Sequence, residues 1–237
     1  MKEISIKNNL TIFITINLLL VIYYLYLKHT VGNDSSVSEW LINYSGGFTR
    51  RGLGGELAIL FSNLFDITLR KSIFLIQATI HSSYLLLIYF YFRNLKLNVL
   101  QLFAIYAPIF LLYPLAELEA LGRKEVILFL FFLTTIYFSQ KKYDSKIINS
   151  QIFFVTPIIC LLWEQIVLFF PFFCVVLIIK NNLKNFKEVF RKLSVIFFPS
   201  IITFVYIFVT PLSFEGGDIM CEYLISEFGE NCYMSAI

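Results

Sequence analysis

The residues most able to do chemistry lie in Asn43-Tyr-Ser-Gly-Gly-Phe-Thr-Arg-Arg-Gly-Leu-Gly-Gly-Glu-Leu57, where glycines flank the pair Arg50 and Arg51 and Glu56 closes the run. Glycine lets the backbone turn and approach a ligand closely. Guanidinium groups beside successive backbone N–H groups suit the oxygens of a phosphate or carboxylate. A helix starting near Gly54 or Gly55 would point its first N–H groups at an anion held by Arg50 and Arg51. The blander reading is that the arginines bind lipid headgroups while the glycines make turns.

A second charged constellation is Ala116-Glu-Leu-Glu-Ala-Leu-Gly-Arg-Lys-Glu125. A helix starting near Leu118 would set Glu119 and Arg123 four residues apart, close enough to pair. Lys124 and Glu125 complete the group, and an ordinary interfacial helix start with Lys124 snorkelling is the alternative. His81 sits in a polar patch with Gln77, Thr79, Ser82 and Ser83 inside an apolar stretch. Ionisable residues inside membranes are costly and tend to mark functional sites. Glu164, in Trp163-Glu164-Gln165, needs a cation beside it or a raised pKa. It reads either as a counter-ion for Arg50, Arg51 or Arg123 or as a ligand-positioning acid or base. Cys160 and Cys174 lie in apolar surroundings and read as packing residues. No spacing resembles a metal site. Walker, GxSxG and dinucleotide motifs are absent. The sequence therefore identifies no cofactor and leaves a divalent metal open.

These groups must be held by membrane helices. Of the 237 residues, 58% are hydrophobic and 15% charged, whereas a soluble domain carries about 25% charge. The chain reads as one polytopic, all-α membrane domain over 1–237. Its first apolar run is too long for a signal-peptide core and has no small-residue cleavage site, so it is a retained span. About 20 apolar residues cross a bilayer. Five spans are expected at 10–27, 72–92, 99–115, 126–140 and 193–213. The stretch 152–179 would reach roughly 42 Å as one helix, beyond a ~30 Å hydrocarbon core. Basic residues flank it on both sides: Lys141, Lys142 and Lys146 before, and Lys180, Lys184, Lys187, Arg191 and Lys192 after. By the positive-inside rule both flanks are cytoplasmic, so the stretch folds as a hairpin with Glu164 near its outward tip.

With the N-terminus cytoplasmic, the inner side takes 12 Lys/Arg and 3 Asp/Glu, and the outer side 7 Lys/Arg and 13 Asp/Glu. The Gly/Arg loop, the 117–125 run, Glu164 and the acidic tail thus share the extracytoplasmic face. Segment 57–65 is expected as an interfacial amphipathic helix in the first outer loop. Cys221 and Cys232 fall in a compartment that permits a disulfide. The ending at Asn231-Cys-Tyr-Met-Ser-Ala-Ile237 resembles the approach to another span, and a truncated chain and a short pinned tail carry equal weight.

The string Asn43-Tyr-Ser-Gly-Gly-Phe-Thr-Arg-Arg-Gly-Leu, the Gly122-Arg-Lys-Glu125 string and a glutamate at a hairpin tip resemble largely uncharacterised multi-span bacterial proteins found with surface-polysaccharide functions. That group is similar to the O-antigen polymerase and GT-C glycosyltransferase class. The resemblance implies transfer or polymerisation of a sugar or oligosaccharide from a polyprenyl-linked donor, outside the inner (plasma) membrane. It implies a catalytic base at Asp34, with Glu39 in reserve, and binding of the lipid pyrophosphate at Arg50, Arg51 and Arg123. The paired acids usual in that class are absent, and the chain is shorter than its ten or more spans. Membrane lipid and a polyprenyl-linked glycan are the implied partners, no nucleic acid is expected, and the oligomeric state stays open. Two rivals are a transporter or flippase for a lipid-linked or anionic solute, using His81 and Glu164 as a relay, and a non-catalytic assembly subunit.

Overall fold

The structure is a computed structural model that describes residues 7–31, 35–93, 99–107, 111–141 and 143–231. Among the described residues every regular element is helical. The protein is a multi-pass helical membrane protein, with five helices among the described residues long and apolar enough to cross a bilayer.

Helix α1 is Lys7–Val31, followed by the short α2 at Ser35–Leu41 and by α3 at Gly52–Phe65. Helix α4 is Leu69–Phe92, α5 is Val99–Tyr106 and α6 is Tyr113–Ala116, before a single 3-10 turn at Leu118–Ala120. Helices α7 (Glu125–Gln140), α8 (Ser145–Leu162), α9 (Phe170–Asn181), α10 (Phe186–Val209) and α11 (Phe214–Phe228) complete the fold. Local chemistry sets several of these boundaries. Thr68, Asp144 and Ser213 cap α4, α8 and α11 by accepting backbone N–H bonds, which satisfies donors that the first helical turn otherwise leaves unpaired.

The expected break in the 152–179 stretch is present, with wider arms. Trp163 is extended (φ −157°, ψ 97°) and ends α8; a 3-10 segment, Glu164–Phe169, leads into α9, where Pro171 sits in the first turn. Proline is tolerated there because that N–H has no helical partner. Asn149, at the start of α8, and Asn181, at the end of α9, exchange side-chain hydrogen bonds of 3.3 and 3.1 Å. The arms therefore return to one end of the bundle, each long enough to span. They account for two of the five spanning helices.

The expected span at 99–115 is not one helix. Helix α5 covers only eight residues, about 12 Å, and α6 starts separately with Pro114 in its first turn. Helix α7, at 16 residues, is about 24 Å long, shorter than a typical hydrocarbon core. Helix α3 buries Ala58, Ile59 and Ser62 and exposes Leu57, Leu60, Leu64 and Phe65. A helix with an apolar outer face suits lipid contact, as the expected interfacial helix requires.

The core has three parts. Leu128, Phe131, Ile152, Phe173 and Phe197 join α7 to α8, α9 and α10. Leu10, Val21, Leu85 and Ile88 pack α1 on α4. Trp40, Ile42, Ala58, Ile73 and Met220 seat α2, α3 and α11 on the head of α4. The bundle has two distinct ends. At one, Lys180 Nζ donates to the carbonyls of Ser139 and Lys141 (2.8 and 2.9 Å), and Lys192 Nζ donates to Asn181 (2.6 Å). The other end holds the 39–56 loop, the 117–125 run and the hairpin tip.

Candidate functional site

Gly122 organises this second end. Its φ of +86° is a left-handed conformation, and a Cβ there would lie 2.9 Å from Gln77 Nε2, so a side chain would strain the backbone and push the Gln77 amide aside. Its carbonyl accepts from Trp40 Nε1 (2.8 Å) and Gln77 Nε2 (2.9 Å). The Gln77 amide oxygen is 2.8 Å from His29 Nε2. Lys28 Nζ donates to the neighbouring Leu121 carbonyl at 3.0 Å. Helices α1, α2 and α4 are thereby tied to the turn that launches α7.

Lys124 is fully buried, its Nζ donating to the Arg51 carbonyl at 2.9 Å and lying 5.5 Å from the centre of the Trp40 ring. Burial pushes its pKa down to about 7, helped by the Arg51 charge and opposed by Glu39 and Glu164. Desolvation disfavours the ammonium form.

Arg51 is the centre of the cluster. It occupies a left-handed conformation (φ 62°, ψ 6°) just before α3, unusual for a residue with a Cβ. Its Nε reaches both Glu164 oxygens (3.0 and 2.9 Å) and its Nη2 reaches Oε1 at 2.7 Å. Its guanidinium carbon lies 4.0 Å from the Trp163 ring centre, and Nη1 is 3.9 Å from Glu39 Oε1. Two-pronged Arg–carboxylate pairing and stacking on an aromatic face both favour guanidinium over ammonium. Of the readings open for Glu164, the geometry is that of a counter-ion, and the partner is Arg51.

The helix-start anion cradle expected behind Arg50 and Arg51 takes a different form. Helix α3 begins at Gly52, and three of its early N–H groups, those of Gly52, Leu53 and Gly55, are spent on the preceding loop. Gly52 N–H donates to the Thr49 carbonyl and Gly55 N–H to the Ile42 carbonyl. Leu53 N–H bonds to the Tyr44 hydroxyl, whose pKa rises to about 12 through burial and the Glu56 charge. The Glu119–Arg123 pair is also absent. No helix runs through 119–123: the 3-10 turn ends at Ala120, Leu121 is extended and α7 opens at Glu125. Arg123 Nη1 is instead 3.8 Å from Glu125 Oε1, and Glu119 is exposed.

Glu39, Arg51, Arg123, Lys124, Glu125 and Glu164 thus form one cluster. Glu39 Oε2 and Glu125 Oε2 are buried without a hydrogen-bond partner. Arg50 is exposed and lines a cavity of about 310 Å³ with Glu164, Thr49 and Pro211. Glu56 is exposed, its Oε2 3.4 Å from the Tyr44 N–H, turned away from the cluster toward its own loop. His81 lies deeper in α4. Asp34 and Cys232 fall outside the described residues, while Cys221 is disulfide-bonded and Cys160 and Cys174 are free. Sequence reasoning missed the positioning roles of Lys28, His29, Trp40 and Trp163. The only local signal was a basic pair at the end of the first span and a tryptophan beside each charged string. Among the described residues no group of three or more His, Cys, Asp or Glu side chains could hold a metal ion. Comparison of the chain with protein-family models, curated proteins and solved structures gives no match.

Proposed function

We propose that the protein transfers or polymerises a sugar or oligosaccharide from a polyprenyl-(pyro)phosphate donor in surface-polysaccharide synthesis. The site faces outward from the inner (plasma) membrane. One observation supports this reading above others. Four separate segments bring Arg51, Arg123, Lys124, Glu39, Glu125 and Glu164 together at the bundle end opposite Lys141, Lys180 and Lys192. Basic connectors favour the cytoplasmic side, which supports an outer-face location for the cluster.

In this scheme Arg50 and Arg123 hold the donor's phosphates and offset the charge that develops as the carrier leaves. Glu39, with its unpartnered buried Oε2, takes the proton from the acceptor hydroxyl. The acceptor oxygen bonds to the anomeric carbon as the bond from that carbon to phosphate oxygen breaks, and the lipid phosphate departs with the electron pair. Arg51, already engaged by Glu164, holds the loop that presents Arg50. The test is Arg50→Ala and Arg123→Ala in a cell making the glycan. Shortened or missing glycan at normal protein level is expected, and unchanged chain length in both variants overturns the proposal.

A further inference from the structure

A second cavity, of about 360 Å³, lies beside the charged cluster. Its size falls in the range of small-ligand sites, which are mostly apolar with a few placed polar groups. Tyr84 and Leu85 of α4 and Phe129 of α7 form apolar wall, and Arg123 and Glu125 stand at the end nearest the cluster. His81 lines the same cavity although its residue surface is only 3% exposed.

The polar groups have a definite sense. His81 Nδ1 lies 3.1 Å from the Gln77 carbonyl, which can only accept. In the neutral imidazole Nδ1 therefore carries the hydrogen and Nε2 presents a bare lone pair. That Nε2 is buried with no hydrogen-bond partner, as is Glu125 Oε2 on the same cavity. A buried acceptor left unsatisfied is unfavourable, because it has given up water without gaining a partner. The complement of such a site is a ligand that brings hydrogen-bond donors into an aromatic-walled space.

We propose that this cavity binds a sugar ring, with one ring hydroxyl donating to His81 Nε2 and another to Glu125 Oε2. A sugar ring offers hydroxyl donors around its rim and weakly positive C–H faces, which match the negative faces of Tyr84 and Phe129. Arg123 bridges this seat and the charged cluster, so the sugar is the acceptor of the proposed transfer, and that identification alone rests on the preceding reading. A flippase-type proton relay has less support, because this pair of acceptors is set against apolar wall.

The chain has two histidines, so ¹⁵N-histidine labelling reports four ring nitrogens, assigned with a His29→Asn variant. The full-length protein, in a detergent without hydroxyl groups, is titrated with hexyl glycosides of glucose, galactose and N-acetylglucosamine. The expected result is a bare His81 Nε2 that shifts saturably toward the hydrogen-bonded position with at least one glycoside. The permethylated glycoside gives no shift. Ala120→Trp and Val126→Phe, which enlarge two of the side chains lining the cavity, weaken apparent affinity at least tenfold while the His29 signals stay in place. A protonated Nε2 in the free protein, no saturable shift with any glycoside, an equal shift with the permethylated compound, or full affinity in both filled variants overturns the proposal. The readout needs no catalysis. Saturable binding beside unchanged glycan in the Arg50 and Arg123 variants would keep the sugar seat and remove the transferase.

Discussion

Arg51 and Glu164, 113 positions apart, form a two-pronged ion pair that pins the Gly/Arg loop to the tip of the α8–α9 hairpin. The Trp163 ring covers the guanidinium, so the pair is shielded as well as close. The neighbouring arginines therefore differ in setting: Arg51 is engaged directly by Glu164, whereas the Arg50 side chain is exposed. Removing one partner of a buried pair typically costs about 3–5 kcal/mol, because the other charge is left uncompensated. Both side chains are partly shielded, 15% and 9% exposed, so the lower part of that range is expected for Arg51→Met or Glu164→Leu alone. The double variant should recover more than half of the loss. Thermal unfolding in detergent measures this, and simple additivity of the two losses would contradict the pairing.

Lys124 makes stability depend on pH. Its folded pKa of about 7 lies below the ordinary lysine value of 10.5. Between these values the unfolded chain binds the extra proton, so stability rises with pH across about 7 to 10. The slope from this group is at most about 1.4 kcal/mol per pH unit. Melting temperature of the wild type should climb from pH 6.5 to 9 relative to Lys124→Met. Parallel pH curves for the two proteins would show that the lysine is not titrating in that window.

Helix α11 docks on the first loop through two glycines. A Cβ on Gly46 would collide with the Gly216 carbonyl, and one on Gly216 would lie 2.5 Å from the Gly46 carbonyl. Backbone obstacles cannot rotate away as a side chain can. Gly46→Ala should cost about 1–3 kcal/mol, the usual range for overpacking. Faster hydrogen exchange should appear first in residues 214–228, and an unaltered exchange pattern would argue against close docking.

The two ends of the bundle should be separable by chemistry. Single cysteines at Ser45, Glu119 and Glu227, in a background lacking the native cysteines, should react with an impermeant thiol reagent from outside intact cells. Cysteines at Ser145 and Asn185 should react only after permeabilisation. Labelling of position 45 or 119 from the cytoplasmic side alone would reverse the orientation on which the outward-facing site depends.

Much of this architecture is legible in the residue string because burial in lipid is a local property. A run of about 20 apolar residues is needed wherever a helix crosses, and α1, α4 and α10 follow directly. The hairpin was legible too: excess lysine on both flanks, an ionisable residue midway, and Pro171 where a new helix could start. Segment 99–115 was misread as a span because its hydropathy is sufficient, while Pro114 starts a separate short helix. The Glu119–Arg123 pair failed for a similar reason. Four-residue spacing means contact only on a continuous helix, and Gly122 turns the chain in the left-handed region between them.

The sequence alone determined the membrane class, the helical build, the doubling back at Trp163-Glu164-Gln165 and the gathering of charged loops on one side. Those features depend on transfer free energies and charge bias that each segment carries by itself. Tertiary structure decided which charges neutralise one another and which remain presented. It assigned Glu164 to Arg51, placed Lys124 under the Arg51 carbonyl and left His81, with its Nε2 unpartnered, in the lining of a cavity. Such choices depend on distances and orientations between segments dozens of residues apart, and residue type and spacing along a chain do not encode those distances directly.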